Sequence, residues 1–558
     1  MMKKIVSDIP LAQHIIQSCK QKHIQNIIIS PGSRNAPLTI SFTNDPYFKC
    51  YSIVDERCAA FFALGMAQQL KQPTAIICTS GSALLNYYPA ISEAFYSDIP
   101  LVVISADRPK ERIDIGDGQT IRQEGVFKNH IVFEANLFNP EKIDYSSVKD
   151  ENETLIHKAL NLATKDLGPV HINVPFNEPL YNTIEEVINI KESVVQFNEN
   201  KKASFQLALQ DQEIWNKANK ILILAGVLFP KSIDKQLLDQ LLNDPRVLFI
   251  TETTSNLYHE KIIPNIDQLI LKLPEESQKD LQPDLLISIG GMVVSKKIKA
   301  FLRNFSPKTH WHIDPKKAYD TYFCLTKHFK LSVSSFFTGL KYDKLTTSDY
   351  QDYWLHQHQI KKENFQNYLH SAPYSDLKVF ETVLRYLPQN THLQLSNSST
   401  IRYTQLFKIP NGTDVYCNRG TSGIDGSTST AIGASLYNEK PTVLITGDLS
   451  FLYDSNALWN NYIPSNFKII IINNSGGGIF RILPGDKNAT YYSEFLETNH
   501  NLTAEHLSKM YGFKYETISS LNEYENKLVN FYESEEKSVI EIFTPSSIND
   551  TALLNSFS

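Results

Sequence analysis

Cysteine is scarce in this sequence, and its spacing predicts neither a disulfide framework nor a metal site. Six cysteines are scattered through 558 residues, and none forms a Cys-x-x-Cys pair. Isolated cysteines among apolar neighbours are typical of reduced thiols, whereas small secreted domains carry denser, paired ones. We therefore expect reduced, mostly buried thiols in a cytoplasmic protein.

Long apolar runs and an excess of positive charge are also missing. No stretch approaches the roughly 20 apolar residues of a membrane-spanning helix. Residues 1–10 lack the apolar core of a signal peptide. The formal net charge is −6, which disfavours a nucleic-acid partner. We expect no membrane insertion and no nucleic-acid binding.

Alternation of short β-branched runs with helical patterns predicts an α/β fold with parallel sheets flanked by helices. The chain is long enough for about three domains of ordinary size. Polar, charged segments near 186–217 and 341–375 are interpreted as linkers, the second with a helix. The predicted α/β domains are residues 1–185, 218–340 and 376–558.

The most informative stretch lies in the last of these domains. Two apolar runs, 443–446 and 468–472, enclose a helical-looking segment at 453–462, which predicts a βαβ unit in a parallel sheet. Asp448 follows the first run and Asn474 the second. Polar residues at the carboxyl ends of neighbouring strands lie where open α/β sheets bind ligands.

The residue types at these two strand ends suit a metal bound to a diphosphate. A carboxylate, an amide carbonyl and backbone carbonyls are hard oxygen ligands of low total charge, which Mg²⁺ prefers. The glycines 476–478 would let the backbone approach a phosphate closely. The alternative is an ordinary strand-turn-helix pair with a capping aspartate and a flexible glycine turn.

The spacing of Gly447-Asp448 and Asn474 resembles the thiamine-diphosphate motif of the decarboxylase-like enzymes. The resemblance implies their three-domain, thiamine-diphosphate-binding fold, with Mg²⁺, or Mn²⁺ in its place, held by Asp448, Asn474 and the Gly476 carbonyl. It also places a bulky apolar residue, here Ile424, beneath the cofactor. The implied cofactor-binding residues are Glu56, Ser398, Arg419, Ile424, Asp448, Leu449, Ser450, Asn474 and Gly476.

Glu56 opens a small-residue helix after a predicted strand. Taken alone, this is the position of an ordinary first-turn glutamate favoured by the helix dipole. The resemblance implies instead that its carboxyl group hydrogen-bonds the cofactor's aminopyrimidine, with burial raising its pKa. Family members take this carboxylate and the metal site from different subunits, which implies a homodimer or a dimer of dimers with active sites at the subunit interface.

Several arginines lie at predicted strand ends or glycine turns. A single arginine is usually solvated or ion-paired, but a set in such positions suggests a pocket for several carboxylates, because guanidinium pairs with carboxylate bidentately. A polyanionic substrate would fit this set. Its members are Arg34, Arg108, Arg122, Arg402 and Arg419.

A closer resemblance, to the menaquinone-pathway carboligases of the same family, runs through nearly the whole chain. It implies decarboxylation of 2-oxoglutarate and 1,4-addition of the resulting succinic semialdehyde carbanion equivalent to isochorismate. The segments that carry it are 29–34, 55–57, 105–109, 119–123, 173–176, 418–426 and 473–484.

Position by position, this resemblance implies specific roles and shows two departures. The implied catalytic residues are Glu56, Gln119, Ser398 and Arg402. The implied substrate-binding residues are Ser33, Arg34, Arg108, Gln119, Lys297, Arg402, Arg419, Phe480 and Leu483. The family often has asparagine where this chain has Gly118, and arginine where it has Lys297, which keeps the charge but loses the planar fork.

Two other functions remain open from the sequence. One is another thiamine-diphosphate enzyme, such as a 2-oxo acid decarboxylase or acetohydroxyacid synthase, although an apolar substrate would not need the arginine set. The other is a non-catalytic, nucleotide-binding regulator on the same fold. The presence of both Glu56 and Asp448 argues against it, and the turns at Gly226 and Gly290 lack full dinucleotide-binding spacing.

Overall fold

The computed structural model describes residues 5–139, 145–185, 205–342, 347–483 and 485–557. Three six-stranded sheets follow one another along the chain, and all strand pairs within them are parallel. The predicted α/β class with parallel sheets in three domains is therefore confirmed. Within the described residues, none of the helices combines the length and apolarity needed to cross a bilayer.

The N-terminal sheet has the strand order β3-β2-β4-β5-β7-β6, and β1 pairs with β8 in a separate antiparallel ribbon. Its strands are β1 Val6–Ser7, β2 Asn26–Ile29, β3 Lys49–Ser52, β4 Thr74–Cys78, β5 Leu101–Asp107, β6 Phe133–Asn136, β7 Val170–Pro175 and β8 Thr183–Ile184. Its helices are α1 Pro10–Gln21, α2 Ala36–Thr43, α3 Glu56–Leu70, α4 Ser82–Asn86, α5 Tyr88–Ser97 and α6 Lys149–Asp166.

The middle sheet has the order β11-β10-β9-β12-β13-β14. Its strands are β9 Ile221–Ala225, β10 Val247–Ile250, β11 Ile262–Ile263, β12 Leu285–Ile289, β13 Thr309–Ile313 and β14 Lys327–Phe329. The helices of this part are α7 Leu209–Lys217, α8 Lys235–Leu242, α9 Ile266–Ile270, α10 Glu275–Leu281, α11 Lys296–Asn304, α12 Val333–Thr338 and α13 Tyr350–Ser371.

The C-terminal sheet has the order β16-β15-β17-β18-β20-β19. Its strands are β15 His392–Leu395, β16 Asp414–Cys417, β17 Thr442–Gly447, β18 Lys468–Asn473, β19 Lys514–Ile518 and β20 Ser538–Phe543. Its helices are α14 Asp376–Tyr386, α15 Ser399–Thr404, α16 Ser427–Ser435, α17 Asp448–Tyr453, α18 Glu505–Met510, α19 Tyr524–Glu533 and α20 Asn549–Asn555.

The N-terminal and C-terminal domains share one apolar core, built around the crossing of α3 and α16. Both helices carry a glycine where they touch. A Cβ atom at Gly65 would lie 2.0 Å from the Thr430 carbonyl oxygen, and one at Gly433 would lie 1.9 Å from that of Phe62. The two helices can approach this closely because neither glycine has a side chain, and the two domains are thereby locked together within one chain.

The middle domain attaches to the edge of the C-terminal sheet through side-chain amides. Asn256 pairs with Val415 of the edge strand β16: its Nδ2 donates to the Val415 carbonyl at 3.0 Å, and its Oδ1 accepts from the Val415 amide at 2.8 Å. Asn265 donates to the Gln405 carbonyl at 2.6 Å. These bonds satisfy backbone groups of an edge strand and of a helix end, which would otherwise lack partners.

Two local expectations differ from the structure. The expected helix at 453–462 is present only as a short 3₁₀ helix at Ser455–Leu458. The α-helix α17 starts earlier, at Asp448, and ends at Tyr453, because the next residue, Asp454, turns inward to accept hydrogen bonds from Ser429. The expected linker at 186–217 includes α7, while 186–204 lies outside the described residues.

Candidate active site

A cavity of about 200 Å³ opens at the carboxyl edge of the C-terminal sheet, beyond the ends of β15, β17 and β18. The right-handed crossovers of a parallel sheet bring the ends of neighbouring strands to the same edge. The structure thus gathers eight of the sequence-predicted residues around one space. They are Ser398, Ile424, Asp448, Leu449, Ser450, Asn474, Gly476 and Phe480.

Asp448 joins the two loops that follow β17 and β18. It is the first residue of α17 and is only 4 % exposed. One carboxylate oxygen accepts a hydrogen bond from the Leu449 amide at 2.7 Å, and the other accepts one from the Gly476 amide at 2.9 Å. His500 Nε2 lies 3.4 Å from the second oxygen and has its pKa raised, chiefly by that contact.

Asn474 presents a buried oxygen without a partner. Its Nδ2 donates to Asp376 at 2.8 Å, while its Oδ1 accepts no hydrogen bond from the described residues. A buried amide oxygen is costly to leave unsatisfied. Beside the Asp448 carboxylate it fits a hard cation such as Mg²⁺, which takes oxygen ligands and few protein charges. Within the described ranges, this site included, no group of three or more His, Cys, Asp and Glu residues could hold a metal, so a metal here would need amide and backbone oxygens as well.

The glycine loop after Asn474 is folded against Glu497. Gly476 has a φ of 145°, and a Cβ there would lie 2.5 Å from the Glu497 carbonyl oxygen. The Gly477 amide donates to that same oxygen at 2.6 Å. The Gly476 carbonyl accepts from the Gly478 amide at 3.0 Å, which leaves it a second lone pair for a metal. Only glycine permits this backbone conformation at residue 476, next to the Asp448 carboxylate.

The loop that carries Arg419 and Ile424 is held on the cavity side by an amide and a hydroxyl side chain. Asn397 Nδ2 donates to the carbonyls of Asn418 and Gly423, both at 2.7 Å, and its Oδ1 accepts from Arg419 Nη1 at 2.6 Å. The Ser450 hydroxyl donates to the Ile424 carbonyl at 2.9 Å. The position of Ile424 at the cavity wall is thus fixed from both sides.

Glu56 lies apart from this cavity within one chain. It is the first residue of α3 and is half-buried, and burial, followed by the nearby Asp55 charge, raises its pKa. It is not among the residues that line the cavity beside Asp448. It lies at the carboxyl edge of the N-terminal sheet, close enough to Cys78 and Tyr87 for its charge to act on both.

Four predicted substrate residues form an N-terminal group after β2 and β5: Ser33, Arg34, Arg108 and Gln119. The buried Arg34 donates to the Phe176 carbonyl at 3.0 Å and pairs with Glu178 at 3.0 Å. Burial, and then the charge of Arg108, lower the pKa of Arg34. Arg108 itself donates to the Gly118 carbonyl at 3.0 Å, and Ser33 and Gln119 are exposed. Two guanidinium groups therefore lie close together at this sheet edge.

A second group of predicted residues lies next to the cavity. Ser398 adopts a φ of 67°, which is strained for a residue other than glycine, and its carbonyl accepts from Arg402 at 2.6 Å. Burial, and then the Arg419 charge, lower the pKa of Arg402. Lys297 is exposed on α11, where its charge acts on Asp267. Of these, Ser398 lines the cavity; Leu483, also predicted as a wall, is exposed and does not.

Comparison with known proteins identifies the family to which the chain belongs. Three family models match in order: "Thiamine pyrophosphate enzyme, N-terminal TPP binding domain" at residues 9–131, "Middle domain of thiamine pyrophosphate" at 188–395, and "Thiamine pyrophosphate enzyme, C-terminal TPP binding domain" at 398–542.

Full-length relatives carry the name 2-succinyl-5-enolpyruvyl-6-hydroxy-3-cyclohexene-1-carboxylate synthase. That of Flavobacterium psychrophilum is 54 % identical over 555 residues, which is 99 % of each chain. That of Flavobacterium johnsoniae is 52 % identical over 560 residues, again 99 % of each. That of Porphyromonas gingivalis is 36 % identical over 563 residues, 96 % of this chain and 95 % of the relative.

The chain belongs to this synthase family of thiamine pyrophosphate enzymes. The resemblance stated from the sequence, including the thiamine-diphosphate-binding fold, is therefore confirmed.

Sequence reasoning missed several side chains that shape the site of this synthase-family chain. Asp376 holds Asn474, Asn397 and Glu93 hold the loop of Arg419 and Ile424, and His500 lies against Asp448. Each acts across a large sequence separation, 98 residues for Asp376 and Asn474. Among them, Asp376 alone carried a local signal, as a carboxylate at the start of the amphipathic helix that opens the predicted domain 376–558.

Proposed function

We propose that this chain is a thiamine-diphosphate- and Mg²⁺-dependent carboligase of menaquinone biosynthesis. It converts 2-oxoglutarate and isochorismate to 2-succinyl-5-enolpyruvyl-6-hydroxy-3-cyclohexene-1-carboxylate and CO₂. The observation that carries the proposal is the buried oxygen of Asn474, which has no partner among the described residues, on a side chain that lines the same cavity as Asp448. The names of the relatives supply the product.

The proposed metal ligands are Asp448, Asn474 and the Gly476 carbonyl, with Mg²⁺ as the ion and Mn²⁺ as a substitute. One carboxylate and two neutral oxygens leave room for ligands from a diphosphate, as is usual for Mg²⁺. Leu449 and Ser450 follow the metal ligand directly, and Ile424 forms part of the wall. When bound, thiamine diphosphate supplies the carbanion chemistry that a 2-oxo acid needs to lose CO₂.

Glu56 is proposed to complete the site from a second copy of the chain. The cavity beside Asp448 has no lining residue from the described part of the N-terminal domain, whereas Glu56 lies half-buried at the N-terminal sheet edge with a raised pKa. A carboxyl group with a raised pKa is suited to sharing a proton with a ring nitrogen near neutral pH. The proposed assembly is a homodimer or a dimer of dimers, in the cytoplasm, with each site at a subunit interface.

The two groups of cationic residues are proposed to bind the substrate carboxylates. Both proposed substrates carry two carboxylates, which matches arginines rather than apolar walls. Arg34 and Arg108, with Ser33 and Gln119, would face the second group, Ser398, Arg402, Arg419 and Lys297, across the subunit interface. Gln119, Ser398 and Arg402 are assigned catalytic contacts, and Phe480 and Leu483 an apolar wall.

The deciding experiment is a product assay with 2-oxoglutarate, with and without isochorismate, in the presence of thiamine diphosphate and Mg²⁺. We expect the cyclohexene carboxylate product when both substrates are present. Release of succinic semialdehyde at a rate unaffected by isochorismate would instead indicate a simple 2-oxo acid decarboxylase.

A thermal-shift assay tests the non-catalytic alternative. A ligand at about 1,000 times its Kd stabilises the folded state by about 4 kcal/mol. We expect this stabilisation from thiamine diphosphate with Mg²⁺ and not from ADP or FAD. Stabilisation by ADP or FAD alone would favour a nucleotide-binding regulator.

A further inference from the structure

Asp376 holds the donor end of the Asn474 side chain at the edge of the cavity. The Asp376 carboxylate accepts the hydrogen bond from Asn474 Nδ2 at 2.8 Å. An amide has a donor end and an acceptor end related by a half-turn, and a carboxylate can pair with the donor end alone. With the NH₂ group held by Asp376, the oxygen of Asn474 is left buried at the proposed metal position, with no hydrogen-bond partner in the part of the chain that the structure describes.

Asp376 is itself held in a single orientation. Its second oxygen accepts from the Thr544 hydroxyl at 2.5 Å, and its backbone amide donates to Asn549 Oδ1 at 2.8 Å. Thr544 follows β20, and its amide donates to the Asn473 carbonyl at 3.0 Å. Thr544 therefore holds Asn473, Asp376 holds Asn474, and Thr544 and Asp376 are hydrogen-bonded to each other.

The burial of this group matches a positioning role. Asp376 is 2 % exposed, and both of its carboxylate oxygens are used by neighbours. Its two carboxylate oxygens thus accept hydrogen bonds from Asn474 and Thr544 and are not proposed as metal ligands. Partners that orient metal ligands in this way typically contribute tenfold to hundredfold in metal affinity.

We propose that Asp376 is a positioning residue that fixes the carbonyl of Asn474 toward the metal, an inference that rests on the proposed function. Loss of the carboxylate would let the Asn474 amide turn and present its NH₂ group, which repels a cation. Asp376 would thus act through Asn474 and not through the general stability of the fold.

The test is a double-mutant cycle read by metal affinity rather than by turnover. Mg²⁺ is titrated calorimetrically into the full-length apoprotein with thiamine diphosphate in excess, for wild type, Asp376→Asn, Asn474→Ala and the double variant. Asp376→Asn is expected to weaken Mg²⁺ binding by about tenfold or more. In the Asn474→Ala background the same change is expected to alter affinity by less than about twofold, because the group it orients is absent. Wild-type affinity in Asp376→Asn, or an equal loss in both backgrounds, overturns the inference.

Two further variants keep the result interpretable. If Asp376→Asn does not fold, Thr544→Val replaces it in the cycle. A loss of Mg²⁺ affinity that occurs with Asn474 present but not in the Asn474→Ala protein supports the inference. An equal loss of affinity in both proteins overturns it. Asp244→Asn is the matched control, since Asp244 is a buried aspartate of the middle domain paired with Arg246 at 2.6 Å. It should lower the melting temperature without changing Mg²⁺ affinity; a loss equal to that of Asp376→Asn would assign the effect to stability and overturn the inference.

The wild-type titration separates this inference from the proposed function. A wild-type protein that binds neither Mg²⁺ nor thiamine diphosphate overturns both. A wild-type protein that binds them and forms the product, with Asp376→Asn binding equally well, overturns the positioning role alone.

Discussion

The carboxylate of Glu93, in the N-terminal domain, accepts a 2.7 Å hydrogen bond from the backbone amide of Gly420, in the C-terminal domain. Its other oxygen accepts from the amide and the hydroxyl of Thr421, at 2.6 and 2.9 Å. Glu93 is 1 % exposed. A side chain of α5 therefore anchors the loop that carries Arg419 and Ile424, and this contact is made within one chain.

Glu93→Gln is expected to disturb that loop. Glutamine has one acceptor oxygen, so its NH₂ group must face one of the two backbone amides. Hydrogen bonds to charged groups contribute about 1.5–3 kcal/mol each, and we expect a comparable loss in the free energy of unfolding. A fall in kcat/KM of about tenfold should accompany it as Arg419 and Ile424 shift. Denaturant unfolding and steady-state kinetics measure the two effects.

Ser97→Ala is the control for Glu93. The Ser97 hydroxyl donates to the same carboxylate at 2.8 Å but does not belong to the loop. Its removal should leave kcat/KM within about twofold of wild type. If Glu93→Gln kept wild-type kinetics while losing stability, the anchoring of the loop would have no bearing on the site.

The fold could be predicted from the sequence because its strands are continuous apolar runs. Strands β17 and β18 are buried on both faces, so β-branched residues fill them and a polar residue marks each end. Strand β6 has no such run: Phe133 is followed by Glu134, whose carboxylate lies 3.0 Å from His171 of the neighbouring strand. Its strand character comes from pairing with β7, which local sequence does not reveal.

The residues of the candidate site that lie at strand ends could be predicted in the same way, and its long-range contacts could not. Asp448 and Asn474 lie at strand ends, where the chain order itself places them at one edge of a sheet. The contacts of Glu93 with Gly420 and of Asp376 with Asn474 join residues 327 and 98 positions apart. They depend on how helices pack on the sheets, and no spacing rule encodes them. Of the arginines expected in one pocket, Arg34 and Arg108 fall in one group and Arg402 and Arg419 in another. The fifth, Arg122, is exposed and pairs with Asp114.

Glu56→Gln should leave cofactor binding nearly intact and remove most of the turnover. Glutamine keeps the shape and a hydrogen bond but cannot exchange a proton, and such proton transfer contributes about 10²–10⁴-fold in rate. Calorimetry with thiamine diphosphate and Mg²⁺ measures binding, and product formation measures turnover. Glu56→Asp, which retracts the carboxyl group by one methylene, should keep part of the activity. A turnover near that of wild type in Glu56→Gln would remove Glu56 from the assigned role.

Gly65→Ala should force α3 and α16 apart. The added methyl group would meet the Thr430 carbonyl oxygen at 2.0 Å, and this neighbour is backbone that cannot rotate away. Overpacking of a tight core typically costs about 1–3 kcal/mol, and we expect at least this loss, seen as a lower melting temperature by calorimetry. Gly118→Ala is the control, since nothing lies within 4 Å of the Cβ position there. Equal melting temperatures for both variants would contradict the tight crossing.

Asp454 should make the stability of the protein depend on pH. It is fully buried between α3 and α16, where it accepts hydrogen bonds from the amide and hydroxyl of Ser429 at 2.7 and 2.8 Å. Burial raises the pKa of Asp454 to about 7. Because the pKa in the folded state lies above that in the unfolded state, the protonated form is favoured by folding. This contribution is complete below the unfolded-state pKa of about 4 and is lost as the pH rises through about 7.

Asp454→Asn removes this titration, so the variant is the reference against which wild type is compared. The free energy of unfolding of wild type minus that of the variant should fall as the pH is raised from about 5 to about 8, with a limiting slope of about 1.4 kcal/mol per pH unit. Urea unfolding at a series of pH values measures the difference, in which titrations common to both proteins cancel. The constant part of the difference reports the lost bonds to Ser429 and carries no pH dependence. A difference that stays level or rises with pH would mean that Asp454 is ionised in the folded protein throughout this range.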